Sequence, residues 1–295
     1  MLIIVDSNYI CHVCFHAMKG LSTSVGDTSV IFGFFRQVLS LAKEFHNTKH
    51  QFVFVWDSNK NLRKMRCSGY KDREKPEQTL QEKKSKIDAY KQFELLKTKL
   101  LKDFGFKNIF WQIGYEADDV IASICKDNED RLITIVSSDN DLWQLLTPKH
   151  WMYDIKKKKY YRDVDFKEQW GIEPEKWATV KAIAGCSTDN VSGICGVGYK
   201  TACKYIRGLL RHGIIYDRIV SRDGESTVFE NSFFVQLPLV GVHNFKIQEN
   251  EIFYVEDFLS ICDRYDFRSF KRDETTWMDC FSMQIREREK RSIGN

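Results

Sequence analysis

Residues 132–141 read Leu132-Ile-Thr-Ile-Val136-Ser-Ser-Asp139-Asn-Asp141. A short, mostly apolar and β-branched run stops at small polar residues and then at acids. Such a run is too short for a core helix and lacks the alternation of a half-solvated strand, so it predicts a strand covered on both faces, as in parallel sheets. Similar runs precede it at Leu2 to Val5, Phe52 to Trp56 and Asn108 to Gln112. Between them lie longer stretches of helical period: Val30 to Phe45, Thr79 to Asp103 and Asp118 to Lys126. Strand and helix alternating at these lengths predict an α/β chain, a parallel sheet flanked by helices. Trp151 to Ile155 and Lys159 to Arg162 predict a late hairpin-like pair. From Asp163 the pattern turns helical, which places a soft boundary near residue 165, between an α/β core over 1–165 and a helical region over 166–295.

Composition narrows the class. The 295 residues are 43% hydrophobic and 29% charged with only 4 Pro and 16 Gly, which excludes disorder and low complexity and supplies a packed core. No apolar run nears the roughly 20 residues of a bilayer span. Met1 to Ala17 carries Asp6 with no basic residue before it, so neither a membrane span nor a signal peptide is expected. Nine cysteines without regular spacing read as thiols in the cytoplasm. Cys11, His12, Cys14 and His16 form one local cluster, readable as a redox pair or half a zinc site, and more simply as buried residues of the first helix, because no second ligand pair is evident. The net charge of +4 hides a basic block: residues 60–107 hold 15 Lys+Arg and 7 Asp+Glu, a net +8, leaving −4 for the rest. An excess of that size suits a polyanion such as nucleic acid.

Parallel sheets gather ligands at the carboxyl ends of their strands, and there the acids accumulate. The first run ends in Asp6 and the second in Asp57. The third leads through Gly114 to Glu116, Asp118 and Asp119, and the fourth to Asp139 and Asp141. Each acid alone has a local explanation, as an N-cap, a turn residue or an anion in a helix's first turn. Their joint placement on one rim is harder to explain locally, because like charges a few ångströms apart cost kilocalories. Divalent cations are the simplest compensation, and all-oxygen ligands favour Mg²⁺ or Mn²⁺ over Zn²⁺. The chemistry this predicts is two-metal hydrolysis of a phosphodiester. Further along, Gly193-Ile-Cys-Gly196-Val-Gly198-Tyr-Lys200-Thr201 predicts a glycine turn opening a helix, where backbone N–H groups can approach a phosphate.

Taken together and in this order, Leu-Ile-Ile-Val-Asp6, Phe-Val-Trp-Asp57 with Gly-Tyr70-Lys71, Gly114-Tyr-Glu116-Ala-Asp118-Asp119, Ser-Ser-Asp139-Asn-Asp141 and Asp189-Asn-Val-Ser-Gly-Ile-Cys-Gly-Val-Gly-Tyr-Lys200 resemble the 5′-nucleases: flap endonucleases, phage 5′→3′ exonucleases and the 5′-nuclease domain of bacterial DNA polymerase I. The resemblance spans about residues 1–210 and implies a PIN-like fold with a helical arch over about 60–107 and a helix-hairpin-helix over about 183–210. It places Asp6, Asp57, Glu116, Asp118, Asp119 and Asp139 around one Mg²⁺ or Mn²⁺, with Asp118 and Asp139 catalytic, and Asp141 and Asp189 towards a second ion. It makes Lys71 the lysine that approaches the scissile phosphate, with Arg73 nearby. DNA contacts fall to Lys64, Lys71, Arg73, Lys83 and Lys84 of the arch and to Gly196, Gly198, Lys200 and Thr201 of the glycine turn, where a K⁺ is implied.

The implied substrates are 5′-flap, nicked or 5′-ended duplex DNA and RNA–DNA hybrids, handled by a monomer in a nucleoid or infected host cytosol during replication or repair. Two departures stand out. Cys186 occupies a position where the family has a second-site carboxylate, and Val13 one where it has an Arg. Thiols are poor ligands for hard Mg²⁺, so the alternative reading is a junction-binding protein whose chemistry is impaired. A PIN-like ribonuclease would lack the glycine turn, and a thiol oxidoreductase using Cys11 and Cys14 would leave the acidic rim without a purpose.

Overall fold

The apolar runs assemble into a six-stranded sheet. Its strands are β1 (Leu2–Asp6), β2 (Gln51–Val55), β3 (Ile109–Phe110), β4 (Ile133–Val136), β5 (His150–Asp154) and β6 (Lys159–Tyr161), in the spatial order β3-β2-β1-β4-β5-β6. β1 pairs in parallel with β4, and β4 in parallel with β5; β6 returns antiparallel to β5. Residues 2–5 and 133–136 are at most 2% exposed, the reason their sequences do not alternate. The computed structural model describes residues 1–18, 20–46, 48–72 and 77–286. Arg73 and the charged tail from 287 lie outside the described residues.

By packing, the chain forms two units woven from alternating segments: residues 1–7, 53–77 and 110–246 in one, and 8–52, 78–109 and 247–295 in the other. Residue 165 falls inside the first unit. The switch from α/β to helical pattern there marks a change of local period and not of hydrophobic core.

In the second unit the helix Ser29–Glu44 packs against the helix Leu80–Leu95, which runs on through a π turn, Leu96–Leu100, to Leu101–Phe104. A capping box starts the second of these helices: Thr79 N–H donates to Glu82 Oε2 (2.9 Å) and Glu82 N–H to Thr79 Oγ1 (3.2 Å). Lys83, Lys84 and Ile87 in its first turns are exposed. From Ala89 onward Phe93, Leu96, Leu100, Leu101 and Phe104 are buried, and Gln92 Oε1 accepts from Val30 N–H (3.0 Å) and Ile31 N–H (3.2 Å). The stretch expected to form a helical arch over 60–107 thus includes, from Ala89 onward, residues of a buried core. Apolar residues at helical spacing beyond 88 commit the later turns to the core.

The helix Ser7–Ala17 carries Cys11 and Cys14, which are 0% and 1% exposed. It lies so close to the Ser29–Glu44 helix that a Cβ on Gly33 would stand 2.8 Å from Cys14 Cβ. Burial pushes the Cys14 thiol up to about 12, which leaves almost no thiolate for redox or metal chemistry. None of the nine cysteines is in a disulfide.

The sequence beyond 246 closes this second core. Val255–Arg264, Arg268–Arg272 and Glu274–Phe281 are helices, and Trp277, 0% exposed, meets Phe258 (5.0 Å between ring centres), Phe270 (5.1 Å), Phe104 and Phe281 (5.7 Å each). Among the described residues no helix is long and apolar enough to cross a membrane. Trp277→Ala should cost about 3–5 kcal/mol in urea unfolding. Trp277→Phe should cost clearly less, because it keeps most of the ring and removes an indole N–H that is buried without a partner.

Candidate active site

Two parallel strands deliver acids to the same edge of the sheet. β1 ends in Asp6, whose Oδ2 accepts from Ser137 Oγ (2.9 Å) just beyond β4. Ser137 Oγ also accepts from Asp139 N–H (3.2 Å), and Asp139 Oδ1 caps the following 3₁₀ helix, Asn140–Leu145, by accepting from Asp141 N–H (2.9 Å). Asp118 sits in the first turn of the helix Ala117–Asp127. Its carboxyl is raised well above the ordinary range by burial, then by the charges of Asp139 and Asp6. Asp6, Asp118 and Asp139 are therefore an electrostatically frustrated group of hard oxygen donors, which fits a divalent cation. Asp57 stands beside them at the same helix start, its Oδ1 accepting from Ala117 N–H (2.8 Å).

The other two acids of this stretch face cations of the chain itself. Arg63 is 1% exposed and grips Asp119 with both guanidinium ends, Nη1–Oδ2 2.5 Å and Nη2–Oδ1 2.8 Å. Asp119 also accepts from Glu116 N–H (3.2 Å) and Leu239 N–H (2.8 Å). Four bonds occupy the Asp119 carboxylate, expected from the sequence as a metal ligand, and here it holds Arg63 in place. Glu116 accepts from Arg63 Nη1 (3.2 Å), Tyr70 Oη (3.0 Å) and Lys71 Nζ (2.5 Å). Burial opposes its ionisation, but Lys71 and Arg63 outweigh that and hold its carboxyl below the ordinary range.

Lys71 is fixed from both ends. Its N–H donates to Asp189 O (2.9 Å), and its backbone takes the left-handed conformation, φ +52°, which costs a non-glycine residue roughly 1 kcal/mol. Burial would weaken its charge, but Glu116 and the further field of Tyr70, Asp118 and Asp189 raise the ammonium above the ordinary lysine range.

A second acidic group lies at Asp141, Cys186 and Asp189, whose ligand atoms are within 4.8 Å of one another. Cys186 Sγ contacts Thr188 Oγ1 (2.9 Å) and Asp189 Oδ2 (3.5 Å). Asp141 is paired with Lys181, a 1%-exposed lysine that also donates to Asn140 Oδ1 (3.2 Å). A thiol among its donors and an ammonium already on one carboxylate make this group a weak fit for a hard divalent cation.

The glycine turn joins the helices Trp177–Ala184 and Tyr199–Ile206. Between them Gly185–Cys186 pairs with Val191–Ser192, and a Cβ on Gly193 would stand 2.1 Å from Ala184 C, so only glycine permits the crossing. Gly196 is left-handed at φ +81°, and nothing lies within 4 Å of a Cβ on Gly198. Gly196, Gly198 and Lys200 are exposed at this turn, and Thr201 is half-buried. Lys64 is exposed on the short helix Leu62–Arg66, opposite in orientation to its buried neighbour Arg63.

Arg63, Tyr70 and Lys181 were not singled out as site residues by sequence reasoning. Lys181 did leave a signal, a lone charge inside the apolar helix Trp-Ala-Thr-Val-Lys-Ala-Ile-Ala. Arg63 left none, being one cation among many in the basic block. The segment after the helix Arg222–Val235 was silent too. It supplies Gln236 O to Arg63 Nη2 (3.1 Å), Leu239 N–H to Asp119, and Val240 O to Tyr115 Oη (3.0 Å).

Known proteins resemble this chain in sequence and in fold. The family model described as 5′-3′ exonuclease, N-terminal resolvase-like domain, matches residues 1–171. DNA polymerase I of Rhizobium leguminosarum is 33% identical over 216 residues, 70% of this chain and 20% of that protein. A 5′-3′ exonuclease of Mycoplasmopsis pulmonis is 27% identical over 290 residues, 90% of this chain and 91% of that one. The chain thus spans about a fifth of the length of the polymerase. Among solved structures, T5 D15 protein co-crystallised with metal ions superposes with a TM-score of 0.68 at 23% identity, covering 80% of this chain and 89% of that one. The catalytic core of Rad2 in complex with DNA substrate follows at 0.56 and 15%, covering 95% and 92%. On the match over residues 1–171, with the acid-bearing strand ends in place, the chain belongs to the 5′-3′ exonuclease family.

Proposed function

We propose that the chain is a metal-dependent, structure-specific 5′-nuclease that hydrolyses DNA phosphodiesters near 5′ flaps, nicks, ends and single-strand/duplex junctions, by 5′→3′ exonuclease and flap endonuclease action. The observation that carries this reading is the delivery of Asp6, Asp118 and Asp139 to one edge of the sheet, with Ser137 bridging Asp6 and Asp139, beside Lys71 held on Glu116. A Mg²⁺ or Mn²⁺ held by Asp6, Asp118 and Asp139 would supply an activated water and charge neutralisation at the phosphate. Asp57 buttresses this group through the helix start, and Lys71, held by Glu116, adds a fixed positive charge where the transition state gains negative charge. Asp141, Asp189 and Cys186 form a weaker second position, completed when a substrate phosphate adds its oxygens.

The glycine turn with Gly196, Gly198, Lys200 and Thr201 is proposed to hold duplex backbone, with a K⁺ there, and Lys64, Lys83, Lys84 and Arg73 the strand that enters the site. RNA in RNA–DNA hybrids is within the same chemistry, because phosphate contacts carry no sequence information. We propose a monomer working in the cytoplasm, in a nucleoid or infected host cell, where its buried thiols remain reduced. The junction-binding alternative is favoured by Cys186 alone.

Cleavage of a 5′-labelled flap duplex in Mg²⁺ or Mn²⁺, abolished by EDTA, tests the reading directly; binding without cleavage under every metal condition would refute it. Cys186→Asp should add a second Mn²⁺ equivalent in calorimetric titration or tighten a weak one. Lys71→Ala should lower kcat by about 10²–10³, the loss typical of one transition-state donor, while Lys71→Arg keeps part of the activity.

The raised Asp118 carboxyl gives a pH test with a definite sign. An acid whose folded pKa exceeds its unfolded value destabilises the fold once pH rises above that unfolded value, near 3.8, and fully so above the folded one. Asp118→Asn in EDTA should therefore melt higher than the unmodified protein at pH 8, with the gap closing as pH falls towards 4. Mg²⁺ should raise the melting temperature of the unmodified protein more than that of the variant.

A further inference from the structure

The β5–β6 hairpin has no role in the chemistry above, yet its composition is unusual. Its turn carries Lys156-Lys157-Lys158 and Lys159 opens β6, all four exposed. Asp154 Oδ1 holds the turn by accepting from Lys156 N–H (2.9 Å) and Lys157 N–H (3.2 Å), and Asp154 is itself 1% exposed. Lys158 takes the left-handed position, φ +50°, where Gly or Asn is the cheaper choice. A fold that needed only a turn here would not crowd ammonium groups into it.

The strands leading into the turn carry an aromatic face. Tyr153 and Tyr160 are cross-strand partners with ring centres 4.7 Å apart, and Trp151, two residues before Tyr153 and so on the same face, lies 6.5 Å from Tyr160. Trp151 is 37% exposed and both tyrosines are half-buried. The indole N–H is occupied by Pro148 O (3.2 Å), so Trp151 offers a flat ring and not a donor.

Position completes the case. β5 is parallel to β4, and β4 to β1, so the lysine turn stands at the edge of the sheet that carries Asp6 and Asp139. With strands about 4.8 Å apart, the end of β5 lies about 10 Å from that of β1. We propose that this hairpin binds a single-stranded DNA segment of the substrate, phosphates on the lysine turn and bases on Trp151, Tyr153 and Tyr160. Stacking selects a single strand because the base faces of a duplex are already covered, and aromatic platforms beside basic residues bind such strands without reading sequence. The inference rests on the nuclease reading for its choice of DNA.

Fluorescence anisotropy in EDTA, with labelled oligo(dT) and a blunt duplex of equal length, separates the two contributions without cleavage. Lys156→Glu with Lys158→Glu should weaken oligo(dT) binding at least about tenfold and flatten the salt slope by about 1.4, two contacts at about 0.7 each. Tyr153→Ala with Tyr160→Ala should weaken it about tenfold, within the range for a lost stacking partner, at an unchanged slope; the paired Phe variant should bind normally. Should the Ala variant fail to fold by circular dichroism, oligo(dT) quenching of tryptophan fluorescence, lost in Trp151→Phe, provides the readout. Unchanged oligo(dT) affinity in the lysine variant, or an equal loss for the blunt duplex, would overturn the proposal. EDTA-sensitive flap cleavage tests the nuclease reading separately, so either can fail alone.

Discussion

Repulsion among carboxylates gathered at one edge of a sheet is the constraint around which this protein is organised. Two such charges 4 Å apart cost about 4 kcal/mol at an effective dielectric of 20, a large fraction of the stability of any fold. The chain divides the charge. Asp119 goes to the buried Arg63, Glu116 to Lys71 and Arg63, and Asp141 to the buried Lys181. Asp118 meets burial and the charges of Asp139 and Asp6, which together raise its carboxyl, and a hard cation there would relieve that repulsion.

The internal cations have structural consequences beyond charge. Arg63 reaches Glu116 and Asp119 at the start of one helix and Gln236 O in the irregular segment that follows another. The segment has no ladder of its own, so its backbone groups are satisfied by side chains of the site, Leu239 N–H on Asp119 and Val240 O on Tyr115 among them. Truncating Arg63 would leave Asp119 buried and unpaired, the costly half of a buried ion pair. Lys71 is held in turn through Glu116 and the Asp189 carbonyl, which links the lysine at the site to the loop that carries the glycine turn.

Much of this was legible in residue order. Four apolar runs, each ending near an acid, gave the strands and the edge at which the site would lie, because burial on both faces leaves a run without alternation. The glycine turn was equally readable, since Gly193 sits where no Cβ fits. In the basic block, composition conceals a core. Charge dominated its composition while Ala89, Phe93, Leu96 and Leu100, at helical spacing, quietly committed its second half to a core.

Residue order is enough to set the periods, the strand ends and the chemical kinds of residue available, all of which depend on neighbours along the chain. Which acid faces which cation depends on how the folded chain packs. Asp118 and Asp119 are adjacent and chemically identical, yet a helix turns successive side chains by about 100°, so one points into the acidic group and the other onto Arg63. The same holds for Arg63 and Lys64, one buried and one in water. Pairings across 41 to 56 residues, as between Lys181 and Asn140 or Arg63 and Asp119, exist only once the sheet has brought its strand ends together.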